Sequence, residues 1–104
     1  MATPVYMIAM IDVKDYQAYA EQYGMPVGAM FAEVGAEIIV ASPEAEVLEG
    51  DWPGNWTVVV KVPSAEIARS LYNSEKYAPF KKARIERLAN ETTFAIFPEF
   101  DPGG

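Results

Sequence analysis

The pattern of apolar positions along the chain predicts four β-strands separated by two helical regions. From Val5 to Val13 both alternating sets of residues are apolar, which is typical of a central strand covered on both faces. The other three strands are predicted at Ala36–Ala41, Trp56–Val62 and Thr92–Phe97. A short extended piece is also predicted at Glu46–Glu49, before a turn-rich connection at 50–55.

Helical spacing of apolar residues marks the two segments between the strands. The first covers roughly residues 15–34, and we expect a kink or break at Gly24-Met25-Pro26 because proline lacks the hydrogen-bond donor and clashes with the preceding turn. The second begins at Ser64, a good N-cap residue. It is expected to break at Asn73-Ser74 and to continue to about Leu88.

The order β-α-β-β-α-β predicts a ferredoxin-like α+β domain over residues 1–97, with a four-stranded antiparallel sheet and two helices on one face. Residues 98–104 are predicted to form a loosely ordered tail. The other face of the sheet would expose a large apolar patch, which a monomer rarely leaves uncovered. We therefore expect a homodimer in which two sheets pack together. The residues assigned to this patch are Tyr6, Ile8, Met10, Ile39, Val59, Phe94 and Ile96.

The composition excludes several kinds of chemistry. The 104 residues include no cysteine and no histidine, so disulfides, Cys or His catalytic groups, and Cys- or His-ligated zinc or haem are excluded. We expect no metal and no cofactor. A net charge of −7 disfavours nucleic acid and anionic membranes as partners, and no apolar run is long enough to span a membrane. The N-terminus lacks a secretory signal pattern, and we expect a cytoplasmic protein.

Arg84 is the most informative single residue, because helical spacing places it in an apolar stripe with Tyr77 and Leu88. A guanidinium in such a position needs a carboxylate or several carbonyl groups. The sequence leaves three interpretations open. Arg84 forms a buried or interfacial ion pair, binds the carboxylate of a substrate, or extends to solvent.

Three acidic residues are candidate partners for Arg84 and also candidate catalytic groups: Asp12, Glu49 and Asp51. Paired carboxylates can act as general acid and base when burial raises the pKa of one of them. The alternative for Glu49 and Asp51 is a solvated turn.

Six aromatic residues are candidates for lining a ligand pocket: Tyr16, Tyr19, Tyr23, Trp52, Tyr72 and Tyr77. The alternative is that they are core or hairpin residues, which is more common for aromatic side chains at helical spacing.

Several segments resemble the DUF1330 family of small bacterial proteins, over about residues 5–97. The resemblance is carried by the stretch from Val47 to Gly54, Val58-Val59-Val60, Pro63-Ser64, Asp12-Val13-Lys14-Asp15, Ser74-Glu75-Lys76-Tyr77 and Arg84. It implies a dimeric α+β barrel of ferredoxin-like subunits. Proteins with such folds include cofactor-free monooxygenases, muconolactone-isomerase-like enzymes and haem proteins, so the fold does not define the function.

Two functions are compatible with these observations. The first is binding of a small aromatic or carboxylic metabolite between the sheet and the helices, with cofactor-free proton transfer or oxygenation as the chemistry to consider. The second is a non-catalytic dimeric module that acts in structure or in protein interaction. RNA binding is disfavoured by the charge and by the aliphatic character of the sheet. Whether the protein is an enzyme is left open by the sequence.

Overall fold

The structure, a computed structural model, describes residues 3–102. Its centre is a four-stranded antiparallel sheet in the order β2-β3-β1-β4. The strands are β1 (Val5–Val13), β2 (Glu37–Ser42), β3 (Trp56–Val62) and β4 (Ala89–Pro98). The predicted ferredoxin-like α+β fold is confirmed. The extended piece predicted at Glu46–Glu49 is wrong, since residues 43–55 are exposed and have no neighbouring strand to pair with.

The first helical region is continuous at Gly24-Met25-Pro26, where a kink or break was predicted. Helix α1 (Tyr16–Tyr19), a π-helical turn (Ala20–Gly24) and α2 (Met25–Glu33) follow one another with helical backbone angles. Pro26 lies in the first turn of α2, directly after the π-helical turn. The wider π-helical turn gives the proline ring room against the residues before it, so the helix continues through it.

The second helical region follows the prediction. Helix α3 (Ala65–Tyr72) begins after Ser64, whose hydroxyl accepts a hydrogen bond from the amide of Ile67 at 3.1 Å. The chain then turns at Asn73-Ser74. Helix α4 (Ala78–Ala83) follows, and a second π-helical turn (Arg84–Leu88) leads into β4.

Strand pairing defines the two faces of the sheet. Val5, Met7, Ala9 and Ile11 of β1 are buried under the helices, and we call this side the covered face. The alternate residues of β1 point to the other side, which we call the open face. Its apolar members are Tyr6, Ile8, Met10, Val40, Val59, Ala95 and Phe97.

Two residues lie on the opposite face from the one predicted. Phe94 pairs with Ala9 and Ile96 pairs with Met7, so both lie on the covered face. Phe97 and Ala95 of β4 contribute to the open face instead, because a shift of one residue moves every side chain of a strand to the other face. Ile39, also assigned to the open face, lies at a register shift in β2, between Ile38 and Val40.

The C-terminal segment is held to the sheet at its start, which corrects the predicted loose tail. Strand β4 extends to Pro98, and the amide of Glu99 donates to the carbonyl of Pro4 at 3.1 Å. The Glu99 carboxylate accepts from the hydroxyl of Tyr6 at 3.1 Å and lies 3.5 Å from the ammonium of Lys61. Residues 103–104 of the predicted tail lie outside the described residues. Within residues 3–102, no helix is both long and apolar enough to cross a membrane.

Candidate functional site

A cavity of about 490 Å³ lies between the first helical region and the covered face. This volume is in the range of small-molecule sites. Among the described residues that line it, tyrosines are the only ionisable ones. The sheet contributes Met7, Ala9, Ile11, Ile38, Ala41, Trp56, Val58, Val60 and Phe94. The helical region contributes Tyr16, Tyr19, Ala20, Tyr23, Gly24, Met25, Val27, Gly28 and Phe31, and Pro43 follows β2.

Aromatic rings form one wall of this cavity. The ring centre of Tyr19 lies 5.1 Å from that of Tyr23 and 6.1 Å from that of Trp56, and the rings of Tyr16 and Trp56 are 5.8 Å apart. Such tilted and edge-on arrangements are favourable for aromatic pairs. The hydroxyl of Tyr16 donates to the carbonyl of Asn55 at 2.8 Å, which attaches the helix to the start of β3. The rings of the wall are therefore packed against one another, and Tyr16 attaches the wall to the start of β3.

Arg84 lies behind this wall, with only 3% of its surface exposed. Its guanidinium carbon is 5.7 Å from the ring centre of Tyr23 and 5.9 Å from that of Phe94, within cation–π distance of both. Within residues 3–102, no carboxylate lies within ion-pair distance of Arg84, and its Nε has no hydrogen-bond partner. An ion pair within the described part of the subunit is therefore wrong, and so is extension to solvent, whereas an ion pair across a subunit interface stays a prediction.

The reason for the missing ion pair is where the three acidic candidates lie. Asp12 is on the open face, where its carboxylate accepts hydrogen bonds from the side-chain amides of Asn55 at 3.3 Å and Asn90 at 3.2 Å. Glu49 and Asp51 lie in the exposed segment before β3. None of the three lines the cavity, and in residues 3–102 no three potential metal ligands come together.

Two buried tyrosines accompany Arg84. The hydroxyls of Tyr23 and Tyr77 are hydrogen-bonded at 2.5 Å, and both interact electrostatically with the guanidinium. We call Tyr23, Tyr77 and Arg84 the tyrosine–arginine cluster. Burial raises the pKa of Tyr23, and the neighbouring Tyr77 raises it further. Burial also raises the pKa of Tyr19, partly opposed by the charge of Arg84. Tyr19 and Tyr23 therefore keep their protons at neutral pH.

The other predicted ligand-binding residues are placed differently. Tyr77 lies behind the cavity wall as part of the cluster, whereas Tyr19 is in the wall itself. Tyr72 packs on Tyr77 and Phe94, with ring centres 5.7 and 5.5 Å away, and the Lys81 ammonium lies 4.1 Å from its ring centre. It lines a separate cavity of about 300 Å³. Trp52 lies outside the main cavity.

Trp52 stabilises the connection before β3 instead. The residue is 47% exposed, and its indole N–H donates to the hydroxyl of Thr57 at 2.9 Å. This is the hairpin role that the sequence offered as the alternative for the aromatic candidates. The structure thus brings Tyr19, Tyr77 and Arg84 to one region and leaves Trp52 and the acidic candidates outside it.

Tyr16 and Tyr23, which helical spacing placed with Tyr19 as pocket candidates, do line the cavity. Trp56 and Phe94 also belong to the site and were not among the predicted ligand-binding residues. Phe94 was assigned to the open face because the strand register was unknown. Trp56 begins a strand whose alternate residues are all apolar, which indicated a buried face and gave no indication of a cavity beside it.

The two π-helical turns position the cluster. Tyr23 belongs to the first and Arg84 to the second. The side chain of Arg87 donates to that of Gln22 at 2.6 Å, which joins the two turns at the surface. Turns of this kind are frequent at functional sites.

Solved structures with the same fold include three from different bacteria. A protein of unknown function from Rhodopseudomonas palustris is 17% identical with a TM-score of 0.76, covering 98% of this chain and 86% of that one. A NIPSNAP-like domain protein from Burkholderia xenovorans is 13% identical with a TM-score of 0.62, covering 100% and 91%. A protein from Bacteroides thetaiotaomicron, named provisionally as an antibiotic biosynthesis monooxygenase, is 11% identical with a TM-score of 0.58, covering 96% and 90%.

These similarities establish the fold and leave the activity undefined. The chain matches no curated protein. Residues 4–98 match the family model described as a domain of unknown function, DUF1330. This match spans nearly the whole chain and includes every residue of the cavity wall and of the tyrosine–arginine cluster. The protein therefore belongs to the DUF1330 family.

Proposed function

We propose that the protein binds a small, largely aromatic organic molecule in the cavity of the covered face. The observation that carries this proposal is a cavity of about 490 Å³ with an aromatic wall, directly in front of a buried arginine that has no carboxylate partner within residues 3–102. An apolar pocket with a few convergent polar groups is typical of small-molecule sites. A buried cation without a partner is costly to folding, so a binding role explains its presence.

For catalysis at this site, we propose cofactor-free proton transfer or oxygenation of the bound molecule. The groups available near the cavity are the hydroxyls of Tyr19, Tyr23 and Tyr77 and the charge of Arg84. A positive charge beside an apolar cavity favours the deprotonated form of a bound acid. The similarity in fold to a protein named for monooxygenase activity is compatible with this chemistry.

A cavity-blocking variant tests the binding proposal. Gly28 lines the cavity, and a side chain there would extend towards Ile38 on the opposite wall. Gly28→Leu should therefore abolish binding, whereas Ala29→Leu, an exposed neighbour on the same helix, should not. We expect naphthalene, naphthol or naphthoate to raise the melting temperature of the wild type and of Ala29→Leu. The proposal fails if none of the three stabilises the wild type, or if Gly28→Leu responds equally.

We also propose that the protein forms a homodimer through the open face. The centre of this face is apolar, with Ile8, Met10 and Val59 at its middle. Polar pairs lie at its two ends, with Glu99 near one and Asp12 at the other. An apolar centre with a polar rim is the usual anatomy of a protein interface. Light scattering that gives the monomer mass of 11.5 kDa at micromolar concentration would contradict the dimer.

The proposed location of the protein is the cytoplasm, which fits a chain without cysteine.

A further inference from the structure

A second cavity lies beside the main one on the covered face. It has a volume of about 300 Å³ and is bordered by Arg69 and Tyr72 of α3 and by Phe94 and Ile96 of β4. The main cavity extends over β2, β3 and β1 and reaches β4 at Phe94. Because the strands follow one another in the order β2-β3-β1-β4, the two cavities are neighbours on the same face of the sheet.

Two side chains lie between the cavities. Within residues 3–102, Met7 and Phe94 are the two residues that line both of them. Met7 pairs with Ile96 and Phe94 pairs with Ala9, so Met7 and Phe94 are diagonal neighbours on paired strands. Side chains at such positions can touch when one is aromatic and the other is long. Ala9 lines the main cavity and Ile96 lines the second one, so the boundary between the cavities follows this diagonal.

Phe94 is the rigid half of this boundary. Its ring centre lies 5.5 Å from that of Tyr72 in an edge-on arrangement, and 5.9 Å from the guanidinium carbon of Arg84. Both contacts depend on where the ring lies and how it is oriented, so they stabilise it in one position. Met7, in contrast, has a flexible unbranched side chain that adapts to irregular space. Of the two side chains, Phe94 is therefore the one that a bound molecule displaces less readily.

The main cavity meets solvent on the side opposite Phe94. There it is lined by Met25 and Ile38, which are 70% and 45% exposed, and β2 is the edge strand of the sheet. A ligand too long for the cavity extends into water on this side, where its additional carbon atoms bury no further apolar surface. On the β4 side the ring of Phe94 closes the way to the second cavity. Phe94 thus decides whether a longer ligand gains affinity.

We infer that Phe94 is a specificity-determining residue that limits the length of the ligand in the main cavity, so that compact aromatic molecules without a long apolar tail are preferred. This inference rests on the proposed function of the cavity. With a smaller side chain at position 94 the two cavities form one cleft, and a chain attached to the aromatic ring extends towards Ile96. Each methylene group buried there raises the affinity about fourfold.

The test attaches straight alkyl chains of increasing length to the compound of the naphthalene series that binds the wild type, and measures affinity by isothermal titration calorimetry. In the wild type we expect the affinity to stop rising, or to fall, beyond a certain chain length. In Phe94→Ala it should continue to rise for at least two more methylene groups, by about tenfold or more in total. Phe94→Leu should extend the rise by at least one methylene group, and maintains the test if Phe94→Ala does not fold.

Ile96 provides the control that shows whether the additional room is the second cavity. It lies on the same strand and face as Phe94 and lines the second cavity but not the main one. Ile96→Trp fills the second cavity and should leave the length limit of the wild type unchanged. Combined with Phe94→Ala, it should remove most of the additional affinity for long chains. A double variant that keeps this affinity would show local widening of the main cavity and would contradict the inference.

The outcomes distinguish this inference from the proposed function on which it rests. If the wild type and Phe94→Ala reach the same length limit, the inference is overturned and the binding function stands. The same holds if the affinity of the wild type rises with every added methylene group as it does in the variant. If no compound of the naphthalene series binds the wild type, the binding function itself is overturned, and the inference with it.

Discussion

The two faces of the sheet differ in which groups lack partners. On the covered face the apolar side chains are packed under helices, and the buried guanidinium of Arg84 has no carboxylate partner within residues 3–102. On the open face the polar groups have partners and the apolar residues lack them. Glu99 and Asp12 are hydrogen-bonded at the two ends, while apolar residues such as Ile8 and Met10 between them have no covering layer within the described chain. One face therefore needs a polar group, and the other needs an apolar surface.

This difference indicates two different kinds of occupant. A single unmatched charge beside a closed apolar wall is suited to a small molecule that carries one polar group. A broad apolar area bordered by partnered polar groups is suited to a protein surface, and a second copy of the chain offers the same area. The following predictions test each face and the connection between them, from the largest expected effect to the smallest.

A charge at the centre of the open face should have the largest effect. Ile8 lies between its strand neighbours Val59 and Ala95. Ile8→Lys places an ammonium in the middle of the proposed interface, which costs several kcal/mol when it is desolvated. We expect self-association to weaken by at least about 100-fold, measured by analytical ultracentrifugation over a range of concentrations.

The control for this variant is Ser70→Lys, which adds the same side chain to an exposed position on α3. It should leave self-association unchanged. If Ile8→Lys forms the same dimer as the wild type, the open face is not the interface.

A pair of glycine variants tests the turn-rich connection at residues 50–55, which leads into β3. Gly54 has φ +80°, and a Cβ there would come within 2.5 Å of the carbonyl oxygen of Ile11. Gly50 has φ +78° but no atom within 4 Å of such a Cβ. Gly50→Ala should cost about 1 kcal/mol of unfolding free energy from backbone strain alone. Gly54→Ala should cost about 2 kcal/mol more, because backbone must move.

Chemical denaturation measures both values. The reason for the difference is that Asn55, next to Gly54, anchors β3 to β1. Its amide donates to the carbonyl of Ile11 at 2.9 Å and its side chain accepts from the amide of Val13 at 2.8 Å. Equal losses in the two variants would show that this close approach does not matter to stability.

Removal of the unmatched charge on the covered face should have a smaller effect of the opposite sign. Arg84→Met keeps most of the buried stem and removes a cation that no carboxylate of residues 3–102 balances. We expect the free energy of unfolding to rise by about 1 kcal/mol. Lys76→Met removes a cation that is paired with Glu33 at 2.7 Å, and should lower stability slightly. A loss of stability in Arg84→Met larger than that in Lys76→Met would show that Arg84 is primarily structural.

The sequence was sufficient to predict the fold because the signals that decide it come from neighbouring residues. Strand β1 is apolar on both alternating sets, and the serines at positions 64 and 74 mark the beginnings of helical segments. These signals depend on side-chain period and capping, which are properties of neighbouring residues. The order of elements then allowed few topologies.

The candidate site was less predictable because it depends on what lies across the sheet and between helices. Helical spacing correctly placed Arg84 in an apolar stripe. It could not show that Asp12 points to the other face, or that residues 49 and 51 stay in solvent. The covered position of Phe94 depends on pairing with Ala9, which is 85 positions earlier in the chain. The first helical region continues through Pro26 because of a π-helical turn, and no simple apolar period in the sequence marks such a turn.

The two π-helical turns have a consequence for how such a site can arise. A π-helical turn is equivalent to an α-helix with one additional residue, and each residue of an α-helix rotates the next side chain by about 100°. Deletion of one residue from either turn would therefore rotate one side of the helix relative to the other and separate Tyr23 from Arg84. The placement of Tyr23 beside Arg84 therefore depends on the length of both helical regions. In a small α+β fold, a binding site can thus be gained or lost through changes in length that leave every strand in its place.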